Sequence, residues 1–149
     1  MTTAVTFSRA EEAQLPEILE LERVAFPQAE QWSEDSWRTE IVGAWVVVTG
    51  DPVVGVVAFR VVDEVAELFR IVVAEEARNH GIGRQLLAAG ISWARSQLAE
   101  RVLLEVRADN ESALSLYRKA GFEPLQVRRD YYGAGLDAVV MQLTLREEE

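Results

Sequence analysis

Apolar positions along the chain follow two different spacings, which together predict a mixed α/β protein. β-branched runs and period-two alternation indicate strands, whereas apolar residues three and four positions apart indicate amphipathic helices. Strands are predicted at residues 3–7, 44–48, 53–62, 66–73, 101–106, 122–130 and 137–145. Helices are predicted at residues 11–25, in a short segment after Ser33, at 85–98 and at 110–120. The order β-αα-βββ-α-β-α-ββ is typical of a layered α/β fold with a mixed central sheet of about seven strands and four helices.

Residues at the predicted boundaries support this assignment. Ser33 and Asn110 are residue types that accept a hydrogen bond from the backbone N–H groups of a first helical turn. Gly121 follows the fourth helix at the position where a left-handed residue commonly ends one. The turn residues 50–52, Gly-Asp-Pro, lie between two β-branched runs and predict a hairpin. Because there is no repeat or flexible linker, we predict one domain over residues 1–149.

Length and composition restrict the class of protein. A chain of 149 residues is long enough to bury a continuous core without disulfides or metal. It contains no cysteine, which excludes a disulfide framework, a cysteine nucleophile and thiolate metal sites, and no other residues have metal-ligand spacing. The N-terminal residues lack the basic and apolar stretches of a signal peptide, and no apolar run is long enough to cross a bilayer. We therefore predict a cytoplasmic protein with no metal and no membrane contact.

The formal net charge of −10 argues against general nucleic-acid binding, which needs a basic face to displace phosphate counterions. An acidic surface favours basic partners such as ribosomal-protein tails or polyamines. It also serves solubility alone, so the sign of the charge does not identify a substrate.

The segment 78–84, Arg-Asn-His-Gly-Ile-Gly-Arg, joins a predicted strand to a long predicted helix. A helix N-terminus carries backbone N–H groups without helical partners, and glycines let the backbone approach an anion closely. The segment therefore suits a pyrophosphate, although Gly-x-Gly is also typical of a structural turn. A dinucleotide-binding unit would have a third glycine in an early βαβ unit, and a P-loop would have Gly-Lys-Ser/Thr, so neither of those classes fits.

Two motifs resemble those of one enzyme family. Residues 78–83 match the Arg/Gln-x-x-Gly-x-Gly/Ala signature of the GCN5-related N-acetyltransferase (GNAT) superfamily. Residues 110–122, Asn-Glu-Ser-Ala-Leu-Ser-Leu-Tyr-Arg-Lys-Ala-Gly-Phe, resemble its Asn-x-x-Ala-x-x-Leu-Tyr-x-x-x-Gly-Phe motif. The element order agrees over essentially the whole chain. The resemblance implies a GNAT fold and transfer of an acetyl group from acetyl-coenzyme A (acetyl-CoA) to an amine.

A narrower resemblance concerns RimI-type enzymes, the bacterial ribosomal-protein alanine N-acetyltransferases. Residues 104–110, Leu-Glu-Val-Arg-Ala-Asp-Asn, resemble the Leu-Glu-Val-Arg-x-x-Asn of that group, and residues 26–27, 32–33, 128–132 and 137–141 are also similar to it. There are two departures. A few residues are inserted between Pro27 and Trp32, and the segment from Tyr132 to Asp137 is shortened. Both regions border the acceptor site in the family, so they bear on the choice of acceptor.

The superfamily resemblance implies a site for acetyl-CoA at the glycine segment. The backbone of residues 71–73 would pair with the pantetheine arm, with an N–H that polarises the thioester carbonyl. Asn110 would cap its helix and also bind the coenzyme. His80, the single histidine, is predicted to be exposed in the loop rather than catalytic. The predicted coenzyme residues are Ile71, Val72, Val73, Arg78, Asn79, His80, Gly81, Ile82, Gly83, Arg84, Asn110 and Tyr117.

The reaction needs a base for the attacking amine and an acid for the leaving thiolate. Glu105 is the candidate base, because it lies in an apolar predicted strand where desolvation favours the neutral carboxyl group. In RimI-type enzymes this glutamate is assigned as the proton acceptor, although spacing alone also allows Glu105 to point to solvent. Tyr117 is the candidate acid of the superfamily motif, since a phenol stays protonated at neutral pH. The alternative is a tyrosine that only packs between helix and sheet.

Three functions remain open from the sequence. The leading one is acetylation of a protein N-terminus, most simply the N-terminal alanine of a small-subunit ribosomal protein, by a monomer or weak dimer. The second is acetylation of a small amine, a polyamine or a protein lysine, and the third is a non-catalytic acetyl-CoA-binding module. Trp32 is a candidate wall of the acceptor cleft or a core residue. Tyr131 and Tyr132 either shape a peptide groove or pack on an edge strand.

Overall fold

A computed structural model describes residues 6–146 of the chain. The described residues form seven strands and four α-helices in the predicted order. The strands are β1 (Phe7–Arg9), β2 (Trp45–Thr49), β3 (Gly55–Val62), β4 (Val65–Val73), β5 (Arg101–Arg107), β6 (Glu123–Arg128) and β7 (Ala138–Thr144). The helices are α1 (Leu15–Ala25), α2 (Glu34–Gly43), α3 (Ile82–Ser96) and α4 (Glu111–Lys119).

The strands form one mixed sheet in the order β1-β2-β3-β4-β5-β7-β6. Strands β4 and β5 are parallel, and the chain between them contains α3, as a parallel pair requires a long connection. The pairs β1–β2, β2–β3, β5–β7 and β6–β7 are antiparallel. The predicted fold class, a mixed sheet of seven strands with four helices, is confirmed. In the described part of the chain, no helix has both the length and the apolar character to cross a membrane.

The chain divides into two compact units. The first contains the residues up to Arg60 together with Arg70–Gly90, and the second contains Val61–Phe69 together with the residues from Ile91 onward. The first unit therefore includes β1, β2, α1 and α2, together with most of β3, the end of β4 and the first part of α3. The second includes β5, β6, β7 and α4.

The core of the first unit rests on two strands that are buried over most of their length. Consecutive residues of β2 and β3 are buried, which means that both faces of these strands are covered. Helix α1 buries Leu15, Ile18 and Leu21 at helical spacing, and α2 buries Trp37. This explains why β-branched runs without alternation still predicted strands correctly.

The second unit has a core with alternating strand positions. Val102, Leu104 and Val106 of β5 are buried, whereas the residues between them point to the other face. Helix α4 buries Leu114 and Tyr117, which are three positions apart on one helix face. All residues of β6 are exposed, as expected for the last strand of the sheet order.

The predicted caps are confirmed. The Ser33 side chain accepts a hydrogen bond from Ser36 N at 3.0 Å, and Asn110 Oδ1 accepts one from Ala113 N at 3.1 Å. Gly121 follows α4 with a φ of +104°, in the left-handed region that glycine adopts without strain.

The structure moves the start of one predicted helix and describes the first predicted strand only in part. Helix α3 begins at Ile82 rather than at residue 85, because its first helical hydrogen bond runs from Gln85 N to Gly81 O at 3.0 Å. Gly83 and Arg84 therefore belong to the first turn of the helix and not to the loop. Most of the predicted first strand, residues 3–7, lies outside the described residues, and β1 extends from Phe7 to Arg9.

Substitution of Gly90 by alanine is expected to destabilise the first unit. A Cβ at Gly90 would lie 1.9 Å from Cε1 of Phe59, whose side chain is fully buried and has no room to move aside. Such overpacking lowers the free energy of unfolding by about 1–3 kcal/mol. Gly43→Ala is the matched control, because a Cβ there meets nothing within 4 Å. Thermal unfolding should show a lower Tm for Gly90→Ala alone, and equal Tm values for the two variants would contradict this.

Candidate active site

The loop after β4 brings a left-handed backbone to the start of α3. Asn79 and Gly81 have φ values of +67° and +80°, so the chain turns sharply just before the helix. Arg78 Nε donates to Val73 O at 3.1 Å, which ties the loop to the end of β4. His80 is exposed, as predicted. The loop thus leads directly into the first turn of α3, whose backbone N–H groups are of the kind that suits an anion.

The end of β4 lies beside a pocket. Three residues of β4 are predicted to pair with the pantetheine arm. Of these, Val72 is buried, whereas Ile71 and Val73 are half-buried. A pocket of about 250 Å³ adjoins the strand end, with α1 on its other side. Its lining residues are Glu20, Leu21, Val24, Ala25, Val73, Ala74, Glu75, Glu76 and Arg78. The pocket thus contains two predicted coenzyme residues, Val73 and Arg78.

In the second unit, Glu105 has polar rather than apolar surroundings. Its side chain is 33% exposed and lies on the β5 face opposite the buried valine and leucine residues. The expected desolvation by the apolar strand is therefore wrong, because strand alternation turns Glu105 away from those neighbours. Arg128 Nη1 donates to Glu105 Oε1 at 2.8 Å. Glu105 is held as one member of an ion pair.

Tyr131 completes a cluster around Glu105. Interaction with the Glu105 carboxylate, together with a smaller effect of burial, raises the pKa of Tyr131, and the nearby Arg128 opposes this rise. The Arg128 guanidinium lies 5.0 Å from the Tyr131 ring centroid. The Tyr131 and Tyr132 rings pack edge-to-face, with their centroids 5.0 Å apart. The structure thus brings together three sequence-predicted residues, Glu105, Tyr131 and Tyr132.

Tyr117 is buried in the second unit, with a relative exposure of 6%. Its ring packs edge-on against Phe122 at 5.8 Å. Burial raises the pKa of Tyr117, and the nearby Tyr132 adds a smaller effect of the same sign. The phenol is therefore protonated throughout the neutral pH range. It can therefore donate a hydrogen bond.

Hydrogen bonds within the connection between β6 and β7 hold the two tyrosines. Asp137 Oδ1 accepts from Asp130 N at 2.9 Å, and Asp130 Oδ1 accepts from Gly135 N at 2.7 Å. Tyr132 N donates to Leu136 O at 3.0 Å. The segment whose sequence is shortened is thus compact and internally braced, which limits the positions available to Tyr131 and Tyr132.

The sequence assigned no role to Arg128, which contacts Glu105, or to Glu22, which contacts Trp32. Arg128 belonged to a segment similar to RimI-type enzymes but had no predicted role, because the partner of a charged residue on an edge strand is set by the register of distant strands. In the first unit, Trp32 N donates to Glu22 Oε2 at 2.6 Å. Glu22 had no predicted role, because its partner Arg70 lies 48 positions away in the chain.

Comparison with known proteins identifies the family of the chain. Residues 11–122 match the model of the Acetyltransferase (GNAT) family. This match covers well over half of the chain. The chain belongs to the GNAT acetyltransferase family.

Individual relatives agree with the family assignment. The acetyltransferase is 30% identical over 145 residues to the [ribosomal protein bS18]-alanine N-acetyltransferase of Escherichia coli, covering 94% of this chain and 97% of that protein. The crystal structure of the ribosomal-protein-S18-alanine N-acetyltransferase from Escherichia coli has a TM-score of 0.86 at 28% identity, covering 98% and 97% of the two chains. The fold is shared with yncA from Salmonella typhimurium, solved with its cofactor acetyl-CoA, at a TM-score of 0.79 and 22% identity, covering 99% and 97%.

No metal centre emerges from the geometry of the described residues. Within residues 6–146, no group of three or more His, Asp or Glu side chains is arranged to hold a metal ion.

Proposed function

We propose that this acetyltransferase transfers the acetyl group of acetyl-CoA to the N-terminal α-amine of a protein, with the N-terminal alanine of a small-subunit ribosomal protein as the leading acceptor. The observation that carries the proposal is the cluster of Glu105, Arg128 and Tyr131, together with Tyr117 and Tyr132. Similarity over nearly the full length to a ribosomal-protein alanine N-acetyltransferase supports the acceptor class. Such a reaction belongs in the cytoplasm, where ribosomal proteins are made.

The coenzyme is proposed to bind through the first unit. The pyrophosphate would contact the backbone of the loop ending at Gly81 and the first turn of α3, where N–H groups and helix dipole favour anions. Arg78 and Arg84 would add charge-assisted donors. The backbone at the end of β4, residues 71–73, would align the pantetheine arm and polarise the thioester carbonyl. The superfamily motif also implies a coenzyme contact for the side-chain amide of Asn110, whose Oδ1 caps α4 in the structure.

Glu105 is proposed to accept the proton of the attacking amine, directly or through a water molecule. An α-amino group has a pKa of roughly 8, so it is largely protonated at neutral pH and must lose a proton before it attacks. The neutral amine forms the C–N bond with the thioester carbonyl carbon, and its nitrogen then loses a second proton to solvent. The C–S bond breaks with its electron pair on sulfur. The Arg128 ion pair orients the Glu105 carboxylate, and the positive charge of Arg128 disfavours a protonated amine beside it.

Tyr117 is proposed to assist the leaving thiolate. Because burial raises the pKa of Tyr117, its phenol carries a proton whenever the thiolate forms. A thiol has an ordinary pKa of about 8.5, so the phenol is the weaker acid and its environment favours hydrogen-bond donation to the thiolate over early proton transfer. The coenzyme thiol then takes its proton from Tyr117 or from solvent as it departs.

Loss of the left-handed residue in the coenzyme loop is expected to weaken acetyl-CoA binding. Gly81→Ala places a side chain at φ +80°, which costs about 1–2 kcal/mol of local strain and shifts the backbone N–H groups away from the pyrophosphate. We expect the Kd for acetyl-CoA to rise at least about tenfold. Gly135→Ala is the matched control, because Gly135 has a similar φ of +77° but lies in the β6–β7 connection. Isothermal titration calorimetry that shows equal Kd changes in the two variants would contradict the assignment of the loop.

Mass spectrometry of acetyl transfer tests the proposed acceptor. An alanine-initiated ribosomal-protein peptide is offered beside an N-terminally blocked lysine peptide and spermidine, with acetyl-CoA present. We expect acetylation of the first peptide at its α-amine only. Acetylation of lysine or spermidine in its place would reject the N-terminal acceptor and retain the acetyltransferase. Tight binding of acetyl-CoA with no product from any acceptor would favour a non-catalytic binding module.

A further inference from the structure

A buried ion pair lies in the first unit and includes none of the predicted catalytic residues. Glu22, near the C-terminal end of α1, has a side chain that is 2% exposed, and the side chain of its partner Arg70 is 14% exposed. The contact is two-pronged, because Arg70 Nη2 lies 2.6 Å from Glu22 Oε2 and Arg70 Nε lies 3.3 Å from Glu22 Oε1. Arg70 directly precedes the β4 residues 71–73 that are proposed to align the coenzyme.

The same two side chains hold the segment between α1 and α2 at several points. The Arg70 guanidinium stacks on the Phe26 ring at 3.8 Å from its centroid and lies 5.0 Å from the centroid of Trp32. Arg70 Nη2 also donates to the backbone carbonyl of Glu30. Oε2 of Glu22, the oxygen that binds Arg70 Nη2, also accepts a hydrogen bond from Trp32 N at 2.6 Å. Both ends and the middle of residues 26–32 are therefore tied to one ion pair.

The tied segment also closes on itself. Residues Gln28–Glu30 form a 3₁₀ turn, and the Gln31 side chain donates to Phe26 O at 2.9 Å. Glu30 O, the carbonyl that Arg70 binds, lies between Pro27 and Trp32, where the sequence was expected to depart from RimI-type enzymes.

An ion pair buried to this extent is a poor choice for stability alone. Removing two charges from water costs several kcal/mol per ion, and apolar replacements of similar volume are often as stable. The arrangement does supply geometry, since a planar guanidinium bound by a carboxylate and stacked on aromatic rings has one orientation. The value of the pair therefore lies in the fixed position of residues 26–32 and of the Trp32 ring.

We propose that Arg70, held by Glu22, is a positioning residue that fixes the segment 26–32 and thereby sets the affinity for the acceptor. The inference rests on the proposed function only in treating Trp32 as an acceptor-side residue. Arg70 acts through the segment and takes no part in proton transfer. Its loss therefore raises the KM for the acceptor, while the Kd for acetyl-CoA and the rate of the chemical step change little.

Arg70→Lys is the main test variant, because lysine keeps the charge but loses the two-pronged contact and the planar stack. The matched control is Arg60→Lys, since Arg60 Nη2 donates to both carboxylate oxygens of Glu40 in the same unit, at 3.0 and 3.1 Å. A double variant, Glu22→Gln with Arg70→Gln, removes both charges together, so that no unpaired buried charge remains if Arg70→Lys folds poorly.

Hydrogen exchange measures the segment without any acceptor. In Arg70→Lys and in the double variant, the backbone amides of residues 28–32 should exchange at least about tenfold faster, with α3 unchanged. In Arg60→Lys the same amides should keep their wild-type rates. Unchanged exchange at residues 28–32, or an equal increase throughout the unit, would overturn the proposal whatever the acceptor proves to be.

Steady-state kinetics then separate positioning from a general loss of structure. We expect Arg70→Lys to raise the acceptor KM about tenfold, with kcat and the acetyl-CoA Kd within about twofold of wild type. Parallel losses in acceptor and coenzyme binding would overturn the proposal. If wild type does not acetylate the N-terminal peptide, the proposed function fails, and the kinetics are repeated with the amine that is acetylated while the exchange result stands independently.

Discussion

Glu105→Gln is expected to lower kcat for acetyl transfer about 100- to 10,000-fold, the range that a positioned general base contributes. Glutamine preserves the size of the side chain and can still accept a hydrogen bond from Arg128, so the fold of β5 should be retained. The amide cannot accept a proton at neutral pH. The measurement is the single-turnover rate of acetyl transfer, with acetyl-CoA binding and the Tm checked in parallel.

The pH profile of this variant distinguishes a lost base from lost binding. Without a base, the rate depends on the fraction of free amine, so the residual activity should keep rising as the pH approaches and passes roughly 8, the ordinary α-amino pKa. Glu123→Gln, an exposed glutamate at the start of β6, is the matched control and should keep wild-type rates. A Glu105→Gln enzyme with wild-type kcat would reject Glu105 as the base.

Tyr117→Phe is expected to lower kcat at least about 100-fold, which corresponds to the loss of one hydrogen-bond donor that stabilises charge in the transition state. Phenylalanine keeps the ring that packs edge-on against Phe122, so the Tm should change little. The acetyl-CoA Kd should change less than kcat, because the donor acts mainly on the developing thiolate. Rapid-quench kinetics and calorimetry give the two quantities.

The protonation of Tyr117 adds a second readout. Because burial raises the pKa of Tyr117 above the unfolded value of about 10, the folded state binds this proton more tightly. Its contribution to stability is therefore fully present below about pH 10 and is lost as the pH rises further. Tyr117→Phe should remove this alkaline loss from the pH dependence of unfolding. A variant that retains both kcat and the alkaline loss would reject the proposed donor.

The comparison of sequence and structure is most instructive at two candidate residues. Tyr117 lies on the same face of α4 as Leu114, which follows from the predicted helix at 110–120 because helix periodicity is a local property. Glu105 was correctly placed on a strand, but its surroundings were predicted wrongly. The apolar neighbours in sequence point to the opposite face of β5, and the groups that surround Glu105 come from β6 and the connection after it.

Local patterns also explain the small errors at element ends. Gly81 and Gly83 look equivalent in the sequence, yet only Gly81 has a left-handed backbone and Gly83 lies in the first turn of α3. A helix start depends on which amide makes the first helical hydrogen bond, and that is decided by the preceding strand as well as by the loop. The pairing of Arg78 with Val73 O is one such constraint.

The sequence by itself determined the element order, the caps at Ser33, Asn110 and Gly121, and the family, because each depends on residues close together in the chain. Only the tertiary structure decided which charges meet. The Glu105–Arg128 pair spans 23 positions and the Glu22–Arg70 pair spans 48, and neither can be derived from spacing or propensity. Pairing across such distances follows from sheet register and helix packing, which fix where side chains of separate elements come within hydrogen-bonding distance.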